Sequence, residues 1–104
     1  MQHITAQELK EWLSDRQRPK PLLLDVREPD EFSAYSIAGS VLMPMRSVPA
    51  RLHEIDRRAE IVMVCRSGAR SFHAGLFLKQ NGFEHVYNLS GGVMAWAHVE
   101  RVAA

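Results

Sequence analysis

Short apolar runs and amphipathic stretches alternate along the chain, divided by Pro, Gly and charged residues, and this alternation predicts an α/β fold. Thr5-Ala6-Gln7-Glu8 has the form of a capping box, in which Thr5 accepts from the first turn and Glu8 reaches back. Leu9, Trp12 and Leu13 follow as one helical stripe. Pro19 and Pro21 end that region, and Leu22-Leu23-Leu24 before Asp25 reads as a strand buried on both faces. A short helix is expected over 29–35, with Pro29 in the first turn where its missing N–H does no harm. Val41-Leu42-Met43 is a second short strand, stopped by Pro44, and a weaker helical pattern covers 48–55.

Ile61-Val62-Met63-Val64 is the strongest strand in the chain, rich in β-branched residues, wholly apolar and opening directly onto Cys65. The composition over 71–81 is helical and ends at Gly82, the residue type that most easily adopts a left-handed cap. Val86-Tyr87-Asn88-Leu89 is a further strand, Gly91-Gly92 a tight connection, and 93–102 a last helix. Apolar strands alternating with helices imply a mainly parallel sheet covered on both faces. Ligands of such sheets bind beyond the carboxyl ends of the strands.

Composition narrows the picture. The 104 residues suit a single domain, 1–104, with 46% hydrophobic and 24% charged residues, which excludes disordered, collagen-like and coiled-coil chains. Thirteen Lys and Arg against 12 Asp and Glu leave a net charge of +1, so no global field draws the chain to nucleic acid or to a membrane surface. The longest apolar stretches are about five residues, as from Ile61 to Cys65, far short of the ~20 needed to span a bilayer. The N-terminus lacks the basic and apolar blocks of a secretory signal, so a cytoplasmic location is expected. The five histidines form no close pair on one helical face, and with one cysteine they predict no metal site; the five methionines read as filler.

Cys65 is thus either core filler or chemistry. Cys65-Arg66-Ser67-Gly68-Ala69-Arg70-Ser71 lies between the best strand and a convincing helix, where a loop with a permissive Gly68 can turn successive N–H groups inward as an anion nest. Arg66 and Arg70 add two permanent positive charges. Nest and charges together are expected to lower the thiol pKa below its free value of ~8.5. Neither a P-loop nor a dinucleotide-binding glycine pattern occurs in the chain.

Four stretches carry a likeness to a known family: Leu23-Leu24-Asp25-Val26-Arg27-Glu28-Pro29-Asp30-Glu31-Phe32, Ile37-Ala38-Gly39-Ser40, Val64-Cys65-Arg66-Ser67-Gly68-Ala69-Arg70-Ser71, and Asn88-Leu89-Ser90-Gly91-Gly92-Val93-Met94-Ala95-Trp96. In this combination and order the chain resembles the rhodanese domains, small sulfurtransferases. One departure is Ser36, where the family usually has His. The resemblance implies a three-layer fold, a five-stranded, mainly parallel sheet with helices on both faces. It implies Cys65 as nucleophile and sulfur carrier, with Arg66, Ser67, Gly68, Ala69, Arg70 and Ser71 forming the substrate loop. Asp25 and Arg27 would brace the site, Gly91-Gly92 would pack backbone near the same rim, and Trp96 would be core.

The activity so implied is transfer of a sulfane sulfur from thiosulfate, through a Cys65 persulfide, to cyanide or a thiol, without metal or organic cofactor. Two alternatives stay open. One is a persulfide carrier that delivers sulfur to a partner protein. The other is a cysteine phosphatase or arsenate reductase, disfavoured because four residues rather than five separate Cys65 from Arg70. Finally, if the helix after the loop buries Ser71, Ala74, Gly75 and Leu78, then Phe72 and Leu76 fall off that stripe, four residues apart. Exposed, they would form an apolar patch for a protein acceptor or a second subunit; otherwise they pack under a neighbouring segment.

Overall fold

A computed structural model describes residues 1–103. In chain order the elements are β1 (Gln2–Ile4), α1 (Ala6–Ser14), β2 (Leu22–Asp25), α2 (Pro29–Ala34), β3 (Val41–Leu42), α3 (Val48–Arg51), β4 (Ile61–Val64), α4 (Ala69–Gln80), β5 (Val86–Leu89) and α5 (Gly92–Ala103). The five strands form one sheet in the order β1-β5-β4-β2-β3, and every neighbouring pair is parallel. The α/β architecture read from the alternation of segments is the one observed.

Alternation along β4 divides the interior into two layers. Ile61, Met63 and Cys65 face a core with Ala74 and Leu78 of α4 and Phe83. Val62 and Val64 face the other core, with Leu9 and Trp12 of α1 and Trp96 of α5. A strand buried on both sides has no polar face, which is why 61–64 is a continuous apolar run. The period of two also aims Cys65 at the α4 layer.

The caps follow the sequence closely. Thr5 Oγ1 accepts from Glu8 N–H at 3.0 Å while Glu8 Oε1 accepts from Thr5 N–H at 2.9 Å, a reciprocal pair of a kind worth ~1 kcal/mol. Three details differ from the pattern-based expectation. The segment around 48–55 is not one helix: α3 is a single turn flanked by 3-10 turns at Met45–Ser47 and Leu52–Glu54. Helix α4 starts at Ala69, two residues before the expected 71, which brings its first turn against Cys65. Strand β1 has no counterpart among the patterned segments, since only Ile4 of its three residues is buried and Gln2 and His3 carry no apolar signal. No helix among the described residues is long and apolar enough to cross a membrane.

Candidate active site

The carboxyl ends of β2 and β4 lie side by side, with Asp25 in register with Val64. The β4 exit carries the loop from Cys65 to Gly68. Gly68 has φ +107°, in the left-handed region, and caps α4. That turn folds the chain back so that Gly68 N–H lies 3.1 Å from Cys65 Sγ and Ser71 N–H 3.3 Å from it. Ser71 Oγ approaches the same sulfur at 3.2 Å. Ala69 and Arg70 occupy the first turn of α4, where N–H groups have no intrahelical acceptor. The inward-facing backbone expected of this loop is therefore present at Gly68 and Ser71.

The loop is held from behind by α5. Val93 N–H donates to Cys65 carbonyl at 2.9 Å and Met94 N–H to Arg66 carbonyl at 3.2 Å. With its carbonyls bound on that side, the loop can turn N–H groups towards the sulfur. Gly92 permits the approach: at φ +56°, a Cβ there would collide with the carbonyl oxygens of both Cys65 and Arg66. The Gly91-Gly92 pair thus does pack backbone against the rim.

Cys65 is buried, 1% exposed, and burial by itself pushes a thiol pKa up. Hydrogen bonds from the Ser71 hydroxyl, Ser71 N–H, Gly68 N–H and Ser67 N–H outweigh that cost and hold the thiol below its ordinary value. The direction is the one expected from the sequence, and of the two causes expected there the nest outweighs the arginine charges. Arg70 turns its guanidinium to Glu31 in a bidentate pair, 2.8 and 2.9 Å, and Arg66 is exposed to solvent. The acidity of Cys65 comes chiefly from fixed N–H and O–H dipoles.

Asp25, the last residue of β2, and Arg27, in the loop that follows it, face each other and are 0% and 4% exposed. Arg27 Nε and one terminal nitrogen donate to the Asp25 carboxylate at 2.8–3.1 Å. Its terminal nitrogens also donate to the backbone carbonyls of Glu31 and Tyr35 at 3.4 and 2.7 Å. The pair ties the end of β2 to α2, and through Glu31 and Arg70 α2 is tied to α4. Glu31 accordingly has its pKa lowered to about 2, first by the hydrogen bonds from Arg70 and then by that from Glu28 N–H.

Two participants were not singled out from the sequence. Glu31 lies within an acidic stretch that looks like helix-start chemistry. Asn88, 3% exposed on β5, accepts from Ser71 Oγ at 2.6 Å and donates through Nδ2 to Gly68 carbonyl at 3.0 Å. Its signal was a polar residue inside an otherwise apolar strand. The apolar patch fares differently. Ser71, Ala74, Gly75 and Leu78 do form the buried stripe of α4, but Phe72 and Leu76 are half-buried rather than exposed. Phe72 stacks on His3 of β1, ring centroids 5.7 Å apart and 4° from parallel, so the strand missing from the sequence pattern is what covers it. The large apolar side chains that are exposed include Met94 and Tyr35, at 54% and 39%. With Ala34 and Arg66 they border a shallow groove of about 290 Å³ beside the loop.

Comparison with known proteins agrees with this geometry. The rhodanese-like domain family matches residues 5–98. A sulfurtransferase of Allochromatium vinosum is 39% identical over 94 residues, covering 90% of this chain and 86% of the relative. A thiosulfate sulfurtransferase, GlpE, of Tolumonas auensis is 29% identical over 83 residues, covering 80% and 78%. Among solved structures, a rhodanese-like domain protein from Staphylococcus aureus superposes with a TM-score of 0.85 at 31% identity, covering 92% of this chain and 91% of the other. The family match over residues 5–98, with 39% identity to a sulfurtransferase across 90% of the chain and the same fold in a solved rhodanese-like domain, places this protein in the rhodanese-like sulfurtransferase family.

Proposed function

We propose that the protein moves a sulfane sulfur from thiosulfate to cyanide or a thiol, with Cys65 as the covalent carrier. The observation that carries this reading is the convergence of Gly68 N–H, Ser71 N–H and Ser71 Oγ on one buried sulfur at 3.1–3.3 Å. The Cys65 thiolate attacks the outer sulfur of thiosulfate; the new S–S bond forms as the old one breaks, and sulfite leaves with the bonding electron pair. The persulfide anion then lies at the N–H-lined mouth. An acceptor thiolate or cyanide attacks its terminal sulfur, and the Cys65 thiolate is released. Donors focused on the sulfur position suit a single bound sulfur better than a tetrahedral phosphate, against the phosphatase alternative. Arg66, exposed at the mouth, would attract the anionic donor, while Asp25 and Arg27 act as the brace. Thiosulfate as donor is supported by the named activity of the Tolumonas auensis relative.

Intact mass spectrometry after incubation with thiosulfate tests the reading. The wild type should gain about 32 Da, one sulfur, and lose it to cyanide; Cys65→Ser should gain nothing while unfolding within a few degrees of the wild type. An adduct that persists in the Ser variant sinks the assignment. A second reading, delivery to a protein acceptor, is favoured by the apolar groove of Met94 and Tyr35 beside the loop. Sulfur release to a protein thiol with little turnover of cyanide would select it.

A further inference from the structure

The Ser71 hydroxyl has one proton and two acceptors. Its Oγ is 2.6 Å from Asn88 Oδ1 and 3.2 Å from Cys65 Sγ. The Asn88 amide has only one satisfactory orientation: Nδ2 donates to Gly68 carbonyl at 3.0 Å, and turning it round would set two carbonyl oxygens against each other. At the Ser71–Asn88 contact the serine must therefore be the donor. Ser71, Asn88 and Cys65 are 0%, 3% and 1% exposed, so each gain or loss of a hydrogen bond counts.

When Cys65 is a neutral thiol, its S–H can donate to Ser71 Oγ and the hydroxyl proton stays on Asn88. An ionised sulfur can only accept. The hydroxyl is then drawn to the charge, because hydrogen bonds to an ionised partner are about twice as strong as neutral ones. Asn88 Oδ1 is left without its donor.

We propose that Asn88 is a positioning residue whose amide oxygen competes with the Cys65 thiolate for the single Ser71 proton, so that the hydroxyl turns to the sulfur when it is charged and back to Asn88 when it is covalently capped. The inference rests on Cys65 as the sulfur carrier. In the persulfide the charge moves to the terminal sulfur, the inner sulfur releases the hydroxyl, and the Ser71–Asn88 bond reforms. Asn88 thereby disfavours the bare thiolate relative to the loaded state. Charged and titratable groups on the surrounding elements include Asp25 of β2 and Arg27 after it, Glu31 of α2, Arg66 of the loop, Arg70 and His73 of α4, Tyr87 of β5 and His3, which pairs with Asn88 in the β1–β5 register. Asp25 is paired with Arg27 and Glu31 with Arg70, and none of these side chains hydrogen-bonds to Ser71 or Asn88.

Titration of the free thiol by its thiolate absorbance, on the whole chain, tests this without any sulfur donor. Asn88→Ala should lower the thiol pKa by about one pH unit, a tenfold change in acidity constant. Ser71→Ala should raise it, and in the double variant the Asn88 change should have no further effect. A purely structural Asn88 predicts the reverse, since loosening the Gly68 loop withdraws N–H donors and raises the pKa. An unchanged or raised value in Asn88→Ala, or an equal fall on the Ser71→Ala background, overturns the proposal. Should Asn88→Ala not fold, the wild type decides: the Asn88 side-chain amide resonances should move with the midpoint of the Cys65 titration, and immobile resonances overturn it. Failure of the sulfur-transfer reading is seen separately, as absence of the persulfide adduct.

Discussion

The loops that leave β2 and β4 begin side by side, Asp25 against Val64, and are finished in opposite ways. After β2 the charges are consumed internally. Asp25 and Arg27 bind each other, and the remaining guanidinium donors go to carbonyls of α2 and the residue after it. After β4 the carbonyls are tied back to α5 while N–H groups gather round a sulfur that needs a proton, a charge or a ligand. Two neighbouring exits that each carry arginine thus differ in kind. One spends its buried charges on each other and on backbone carbonyls and so holds; the other keeps donors aimed at the Cys65 sulfur. Arginine content does not distinguish them. What distinguishes them is which donors are already satisfied.

Removing a member of the first loop should therefore cost stability, and disturbing the second should cost chemistry. The largest effect is expected from Asp25→Asn, which leaves Arg27 buried without its counter-ion. A loss of about 3–5 kcal/mol is expected, or at least ~12 °C in Tm at ~4–8 °C per kcal/mol for a domain of this size. Thermal unfolding measures it, and a fall under a few degrees would show that the pair is dispensable as a brace.

Gly92→Ala comes next. A left-handed backbone at an L-residue costs about 1–2 kcal/mol, and the added Cβ must push the Cys65 and Arg66 carbonyls away. Thiol acidity should suffer more than folding does, with the Cys65 pKa rising towards its ordinary value and sulfur loading slowing. Normal loading kinetics in a protein of lowered Tm would show that α5 supports the fold and leaves the nest alone.

The smallest effect is expected at the rim, where Glu31 and Arg70 are partly exposed. Glu31→Gln should cost less than ~1 kcal/mol at neutral pH, as solvent-screened pairs do. The folded pKa of Glu31, about 2, lies below its ordinary 4.5. The contribution is therefore complete above about pH 4.5 and is lost as pH falls through about 2. Urea midpoints of wild type and variant should converge over that interval; a gap that persists at the acid end would mean that the amide is also a poorer cap for α2.

Much of this molecule is written locally. The apolar run from Ile61 to Val64, the Thr5–Glu8 capping box and the glycine at 68 each declare their structure within a few residues, because strand burial, capping and a left-handed turn are short-range demands. The α4 stripe of Ser71, Ala74, Gly75 and Leu78 was legible for the same reason. Strand β1 was not, since an edge strand with one buried residue needs no apolar pattern; its stability comes from pairing with β5. The exposure of Phe72 could not be judged without β1, because His3, at the other end of the order of elements from α4, lies across its ring.

The sequence by itself determined the alternation of strands and helices, the position of a lone cysteine at a strand exit, and the glycine that lets its loop turn. Only the tertiary structure decided that the nest and the Ser71 hydroxyl, more than the arginines, acidify that cysteine. Arg70 finds Glu31 across 39 residues and Ser71 finds Asn88 across 17, distances over which no local pattern carries information. Packing of α5 behind the loop and α4 above the sulfur then fixes which dipoles point at Cys65. Hydrogen bonds are short and directional, so the electrostatics of the site depend on which groups the fold brings within about 3 Å of each other rather than on which charges the chain contains.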